Sequence, residues 1–471
     1  MKTTISTAVL AALLSTTANA QTPTGAMGLL RPDQEAFRGL YKELVETNTT
    51  VSSGSCTDAA AKMGARLKAA GFDDAAITYF STPEHPKDGG LVAVLPGTSK
   101  SLKPMLLLAH IDVVEARRAD WTRDPFTLIE ENGYFYGRGT VDDKAQAAIF
   151  TDALVRMKQA GAKPKRTIKL ALTCGEETSG AFNGAEWLAE NHKDWIDAAF
   201  ALNEGGGGRT DGKGKLLVQT IQIGEKSYQD FTLTATNPGG HSSAPPKENA
   251  IYSLSAALLK IGAYEFPLQF NDVTKAFFRK SGPLRGDEVG AAMVALAANP
   301  DDKAAEATAN TDKTIHSMLR TTCVATLVEA GHALNALPQR ATANVNCRMF
   351  PGRTSAETMA ALTQVIGDPG ITIVERVKDK PIAIQPPLDP KILGPVEKLA
   401  AKYFPGVPVI PTMSTGATDA LYLRGIPVYG VPSIWADPDG NGTHGLNERV
   451  EAKALYTARD YLFDLIKTLA G

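Results

Sequence analysis

The chain has 471 residues, 43% of them hydrophobic and 21% charged, with a formal net charge of −2. That length holds about two or three domains, and the composition describes a globular protein rather than a disordered or fibrous one. A charge so near zero argues against nucleic acid or an anionic membrane surface as a partner.

The first twenty residues stand apart. Lys2, the apolar run AVLAALL and the small residues Ala18-Asn19-Ala20 have the order of a secretory signal peptide cut before Gln21. The apolar run is too short to span a bilayer. The expectation is a periplasmic or secreted protein, with no membrane attachment after signal cleavage.

Two helices follow, in PDQEAFRGLYKELVETN and CTDAAAKMGARLKAAGF, with apolar residues at three- and four-residue spacing. Short apolar strands come next: LVAVLPG, PMLLLAHID, TIKLALTC and AAFALNEG. Helical patterns such as DDKAQAAIFTDALVRMKQAG lie between them. This alternation predicts an α/β layered domain with a largely parallel sheet, and such sheets place chemistry at the carboxyl ends of their strands. From about residue 226 the pattern becomes strand, helix, two strands, helix, strand, a ferredoxin-like α+β order. An Ala/Asp/Lys-rich helical insert at about 270–316 interrupts it. After IQPPLDP the α/β character returns. The predicted organisation is a signal peptide (1–20), a discontinuous catalytic domain (21–225 and 386–471) and an inserted domain (226–385).

Export makes the four cysteines, Cys56, Cys174, Cys323 and Cys347, informative. TTCVATLVEAG and RATANVNCRMF read as strands joined by HALNALPQ, and Cys323 and Cys347 are equidistant from Asn335. An antiparallel hairpin centred there sets the thiols opposite each other, which predicts a disulfide. The alternative is two small apolar fillers.

The chemistry concentrates at strand ends. LTCGEETSG carries the adjacent carboxylates Glu176 and Glu177. LLLAHID carries His110 and Asp112, GRGTVDDKAQ carries Asp142, ALNEGGGG carries Glu204, and NGTHGLNERV carries His444. Each alone reads as well as a turn or core residue. Together, imidazoles and carboxylates suit zinc or a similar divalent ion. Two nitrogen and three carboxylate donors are too many for one open tetrahedral ion and suit two ions sharing a bridging carboxylate.

These five motifs, in this order, resemble the dinuclear-zinc metallopeptidase family of glutamate carboxypeptidase, yeast carboxypeptidase S, aminoacylase and succinyl-diaminopimelate desuccinylase. The resemblance runs from about residue 30 to the C-terminus. It implies a zinc-peptidase-like three-layer catalytic domain with an inserted α+β lid, often a dimerisation domain. By it, His110 and Glu204 would serve one Zn2+, Glu177 and His444 the second, and Asp142 would bridge both, often through a cis peptide to Asp143. Co2+ or Mn2+ would be substitutes. Asp112 would accept a hydrogen bond from His110, and Glu176 would be the general base for the attacking water.

The same resemblance assigns substrate contacts, three in the inserted domain and one outside it. His241 in PGGHSSAPPKENAI would help polarise the scissile carbonyl. Asn335 and Arg348 would contact substrate, with Arg348 gripping a terminal carboxylate. Gly416 in STGATDA would meet substrate through its backbone. Leu421 departs from relatives that carry Arg there, which puts a further carboxylate contact in doubt. The expected substrates are short peptides cleaved next to a free carboxylate, with N-acyl amino acids as the alternative and a homodimer through the lid. A different class, a peptide-binding protein without catalysis, would have no use for Glu176.

Overall fold

The computed structural model describes residues 29–178, 180–378 and 380–471, so the expected signal peptide at 1–20 lies outside it. An eight-stranded sheet organises most of the chain. Its order is Ile77–Thr82, His85–Leu95, Ile168–Thr173, Met105–His110, Phe200–Thr210, Val428–Ala436, Leu216–Glu225, Val409–Ser414. The central strands Ile168–Thr173, Met105–His110, Phe200–Thr210 and Val428–Ala436 run parallel, while His85–Leu95 joins them antiparallel on one side and Leu216–Glu225 on the other. The sheet is therefore mixed, where alternation alone predicted a largely parallel one. Hairpin-type returns at its margins need no crossover helix and leave no helical pattern to read.

The run MLLLAH is apolar at nearly every position because both faces of its strand are covered. Met105, Leu107 and Ala109 enter the larger core with Phe37, Phe150 and Tyr461, and Leu106 and Leu108 enter a smaller one with Leu188 and Ile196. This is the period-two consequence of a buried central strand. Helices Pro32–Val45, Lys144–Gln159 and Ala452–Ala470 are held together by Arg459, whose fully buried guanidinium bonds Asp152 (2.8 Å) and Asp33 (2.7 Å).

The chain leaves the large sheet at Glu225 and enters a second at Ser227. That antiparallel sheet has the order Thr322–Ala330, Arg340–Met349, Ser227–Thr236, Ile371–Glu375. Helices Ala250–Ala263 and Ser355–Ile366 cover one face, burying Leu254, Ile261, Leu362 and Ile366 against Phe231, Leu233 and Val345. Cys323 stands opposite Cys347 in the register and the two are bonded.

The interrupting segment forms four helices, Asp272–Arg285, Glu288–Ala298, Lys303–Ala309 and Lys313–Met318, around Phe278, Met293, Leu296 and Leu319. It docks on the margin of the large sheet. Lys280 Nζ donates to the Val409 carbonyl (3.3 Å), and Asn271 Nδ2 donates to Gln385 Oε1 (2.7 Å). The edge strand Val409–Ser414 is thereby shielded, which removes a site for unwanted strand pairing.

Candidate active site

Three neighbouring strands deliver the acidic and imidazole groups. His110 ends Met105–His110, Glu176 and Glu177 follow Ile168–Thr173, and Glu204 lies within Phe200–Thr210. Asp142 precedes helix Lys144–Gln159, and its peptide to Asp143 is cis. His444 comes from a C-terminal loop with φ of +57°, a left-handed conformation uncommon for residues other than glycine.

These distant groups converge. His110 Nε2 lies 3.1 Å from Asp142 Oδ1 and 3.7 Å from Glu204 Oε1. His444 Nε2 lies 3.0 Å from Asp142 Oδ2 and 2.9 Å from Glu177 Oε2. The two oxygens of Asp142 thus face two different imidazoles. Donor atoms of His110, Asp142 and Glu177 all lie within 4.8 Å of one another, as do those of His110, Glu176 and Glu204.

The charge balance is lopsided, with more carboxylates than imidazoles in a buried setting. Burial pushes the pKa of Glu176 up to about 8 and that of Glu204 well above the usual carboxylate range. Hydrogen bonds donated to the Asp142 and Glu177 carboxylates raise His444 to about 10. His110 is raised by Asp112 and Asp142 against the lowering effect of its burial. Asp142 is held far below the usual range, because its two imidazole partners outweigh its burial. Such a cluster carries a free-energy cost that divalent cations would remove. Nitrogen and oxygen donors grouped at these separations fit a metal centre.

The supporting residues explain the placement. Asp112 does more than face His110. Nδ1 of His110 is 3.1 Å from the Asp112 carbonyl oxygen and 3.5 Å from its carboxylate. That carboxylate accepts the backbone N–H groups of Glu176 (3.3 Å) and Glu177 (3.1 Å), fixing their loop. Gly175 has φ +93°, and a Cβ there would lie 1.8 Å from the Phe182 carbonyl, so the approach to Glu176 admits only glycine.

Three further supports have no counterpart in the sequence analysis. The first is a second disulfide, Cys56–Cys174, which ties helix Cys56–Ala69 to the start of this loop. The second is Asp419, 2% exposed, which accepts from Thr173 Oγ1 (2.7 Å) and Asn183 Nδ2 (2.7 Å). The third is Glu448, fully buried, which accepts from Arg138 Nη1 (2.8 Å) and from the N–H groups of Gly139 (3.1 Å), Val141 (2.7 Å) and Asp142 (3.2 Å). Only the position of Glu448, four residues after His444, hinted at a role.

The residues expected to contact substrate are arranged differently. His241 and Asn335 are neighbours: Gly240–His241 pairs with Ala336–Leu337, and the Ser242 N–H donates to the Asn335 carbonyl (3.0 Å). His241 is exposed, with Nδ1 2.8 Å from Ser243 Oγ. Arg348 lies over the Tyr228 ring, 5.1 Å from its centroid. The Gly416 N–H donates to Ser414 Oγ (3.0 Å). Among the described residues, none of the four joins the hydrogen-bonded cluster around Asp142.

Comparison with known proteins shows the family. The model of peptidase family M20/M25/M40 matches residues 106–468. The chain is 28% identical over 445 residues to the N-fatty-acyl-amino acid synthase/hydrolase PM20D1 of Homo sapiens, a match covering 92% of this chain and 87% of that protein. It is 29% identical over 396 residues to the probable carboxypeptidase S-like 2 of Dictyostelium discoideum, covering 79% and 72%. In fold it matches the M20 family metallo-carboxypeptidase Sso-CP2 of Sulfolobus solfataricus with a TM-score of 0.70, over 94% of this chain and 100% of that one, at 18% identity. The convergent carboxylates and imidazoles, the inserted α+β domain and the family match lead to one conclusion: the chain belongs to peptidase family M20/M25/M40 and is a metal-dependent peptidase or amidohydrolase.

Proposed function

We propose that this chain is an exported two-metal hydrolase that cleaves an amide bond next to a residue with a free carboxylate, in short peptides first. The observation that carries the two-metal reading is Asp142, whose two oxygens each face a separate imidazole–carboxylate pair. His110 and Glu204 would hold one cation and His444 and Glu177 the other, with Asp142 between them. Zinc is the first choice for this donor set, with cobalt or manganese as substitutes. When bound, the cations supply Lewis acidity, acidifying water and polarising the scissile carbonyl.

The chain's own residues do the rest. Glu176 takes the proton of the attacking water and returns it to the leaving amine. A carboxyl grouped with His110 and Glu204 at the edge of the donor cluster is placed for both halves of that transfer. Asp112 holds the Glu176 backbone in place. His241 stabilises the developing oxyanion, Arg348 forks onto the substrate carboxylate, and Asn335 and the Gly416 backbone orient the chain. The edge strand Thr322–Ala330 exposes Val324, Leu327 and Val328, and helix Ala250–Ala263, which packs on that strand, exposes Tyr252 and Leu259; this supports a homodimer formed through the inserted domain.

A second reading, deacylation of N-acyl amino acids, is favoured by the name of the human relative. A silent binding protein is disfavoured by the presence of Glu176 in the cluster. The test is a panel of dipeptides and N-acyl amino acids assayed with wild type and Glu176→Gln. Hydrolysis of at least one class by wild type, lost in the variant, supports the proposal. No hydrolysis of either class, with zinc, cobalt or manganese added, refutes it.

A further inference from the structure

Two buried carboxyls lie outside the donor cluster and take no part in the proposed chemistry, Glu225 and Asp419. Their hydrogen-bond partners among the described residues are hydroxyls and amides rather than cations. Glu225 Oε2 accepts from Thr418 Oγ1 (2.9 Å) and Gln222 Nε2 (3.1 Å). Asp419 accepts from Thr173 Oγ1 (2.7 Å) and Asn183 Nδ2 (2.7 Å). A buried carboxyl held in this way bears a desolvation cost that no cation offsets. The two meet at adjacent residues, Thr418 and Asp419, where the short helix Asp419–Tyr422 begins.

The segment that leads there touches three places. At its start the Ser414 carbonyl accepts from the Lys226 N–H (3.1 Å). Lys226 is the single residue between strand Leu216–Glu225 of the first sheet and strand Ser227–Thr236 of the second. Thr418 Oγ1 donates to Glu225 at the same junction. It also accepts from Asn203 Nδ2 (3.1 Å), the neighbour of Glu204, and from the Ala420 N–H (3.1 Å). One proton donated and two accepted exhaust a hydroxyl, so Thr418 has nothing left to offer a substrate. Asp419 turns to the other side. Thr173 ends the strand that precedes the Glu176 loop, and the Asn183 amide on Asp419 also reaches the Gly175 carbonyl (3.3 Å). We propose that residues 414–419 are a positioning element that holds Glu204 and the Glu176 loop in register with the junction of the two domains. Thr418 is its central residue and Asp419 its arm to the base. It rests on the proposed function for the roles of Glu204 and Glu176. Thr418 touches no reacting atom; it acts through Asn203 on the strand that carries Glu204.

The test compares Thr418→Val, which keeps the volume and removes the hydroxyl, with Thr418→Ser, which keeps the hydroxyl. In the valine variant, zinc affinity by competition titration and kcat at saturating zinc are each expected to fall about 10- to 100-fold, as when a residue behind a metal ligand is lost. KM is expected to stay unchanged, the pattern of an interaction that matters only in the transition state. The serine variant is expected to recover both quantities. Thr173→Val, which cuts the Asp419 arm, is expected to lower kcat at unchanged KM. Wild-type zinc affinity and kcat in Thr418→Val, a loss confined to KM, a serine variant as impaired as the valine one, or wild-type kcat in Thr173→Val overturns the proposal. The hydrolase reading fails separately, if neither dipeptides nor N-acyl amino acids are hydrolysed by wild type. In that event hydrogen exchange still decides. Faster exchange confined to the amides of 174–177 and 203–206 in Thr418→Val, and absent in Thr418→Ser, supports the positioning element, and equal exchange overturns it.

Discussion

Glu448 suspends the loop that carries Asp142, and its replacement by glutamine gives a prediction whose size can be worked out. Its carboxylate is met by four donors: the Arg138 guanidinium and the backbone N–H groups of Gly139, Val141 and Asp142. Burial pushes the carboxyl's pKa up, while the donors and the Arg138 charge pull it down. A protonated oxygen among four donors would have nothing to donate to, so we treat Glu448 as ionised. In Glu448→Gln the amide oxygen can serve one side only. If it keeps Val141 and Asp142, its NH2 opposes Arg138 and Gly139; if it flips, the other pair is lost. Each orphaned buried donor costs about 1–3 kcal/mol, and an Arg stripped of its buried partner costs about 3–5 kcal/mol. The two routes agree on a loss of about 3–5 kcal/mol, a fall of about 100-fold or more in the folded-to-unfolded ratio. Urea unfolding should show a lower midpoint at unchanged slope. Because Asp142 is displaced with its loop, competition titration should show zinc affinity about 10- to 100-fold weaker, as when a residue behind a metal ligand is removed. A variant within about 1 kcal/mol of wild type, with its zinc affinity intact, would refute the reasoning.

Three other outcomes are expected. Glu176→Gln should keep its metal content and lose about 10²- to 10⁴-fold in kcat; full turnover in that variant would remove Glu176 as the base. Burial lifts the pKa of Glu225 from the ordinary 4.5 to about 8. Its contribution to stability is therefore complete below about pH 4.5 and is lost as the pH rises through 8, where the unfolded chain has already released the proton. Glutamine does not titrate, so melting temperatures of Glu225→Gln and wild type should diverge in the variant's favour from pH 5 to 8, and a constant difference would contradict the burial argument. The Cys56–Cys174 bond closes a separation of 118 residues and Cys323–Cys347 one of 24. Loop entropy then allows losses of up to about 5 and about 3.5 kcal/mol when each pair is replaced by serine. Only the first pair borders the Glu176 loop, so only its removal should also depress kcat; equal kinetic effects would show that Cys174 does not position that loop.

The same contrast between the disulfides shows what can be read from sequence and what cannot. Cys323 and Cys347 stand symmetrically about Asn335, so the register of one hairpin sets them face to face, and local symmetry is visible in a string of letters. Cys56 begins a helix and Cys174 follows a strand, and only the packing of helix Cys56–Ala69 on the sheet brings them together. His110 and Glu176 were legible because strands buried on both faces are nearly all apolar, so a polar residue at their carboxyl ends stands out, and Glu204 because it ends the buried run at the start of its strand. Asp419 and Glu448 were not, because they answer donors far off in the chain: Thr173 and Asn183 in one case, Arg138 and its neighbours in the other. A lone buried carboxylate in a loop has no periodicity. Its place is dictated by unpaired N–H groups that exist only once the loop has folded. Leu421 makes the same point from the substrate side. In the sequence it registered only as the absence of an expected arginine, whereas the fold sets it with Ile382 and Ile384 around a cavity that Glu204 also lines. In this chain some of the groups that would hold cations, His110 and Glu177, are written locally at strand ends, whereas the groups that aim them are written only in the tertiary fold.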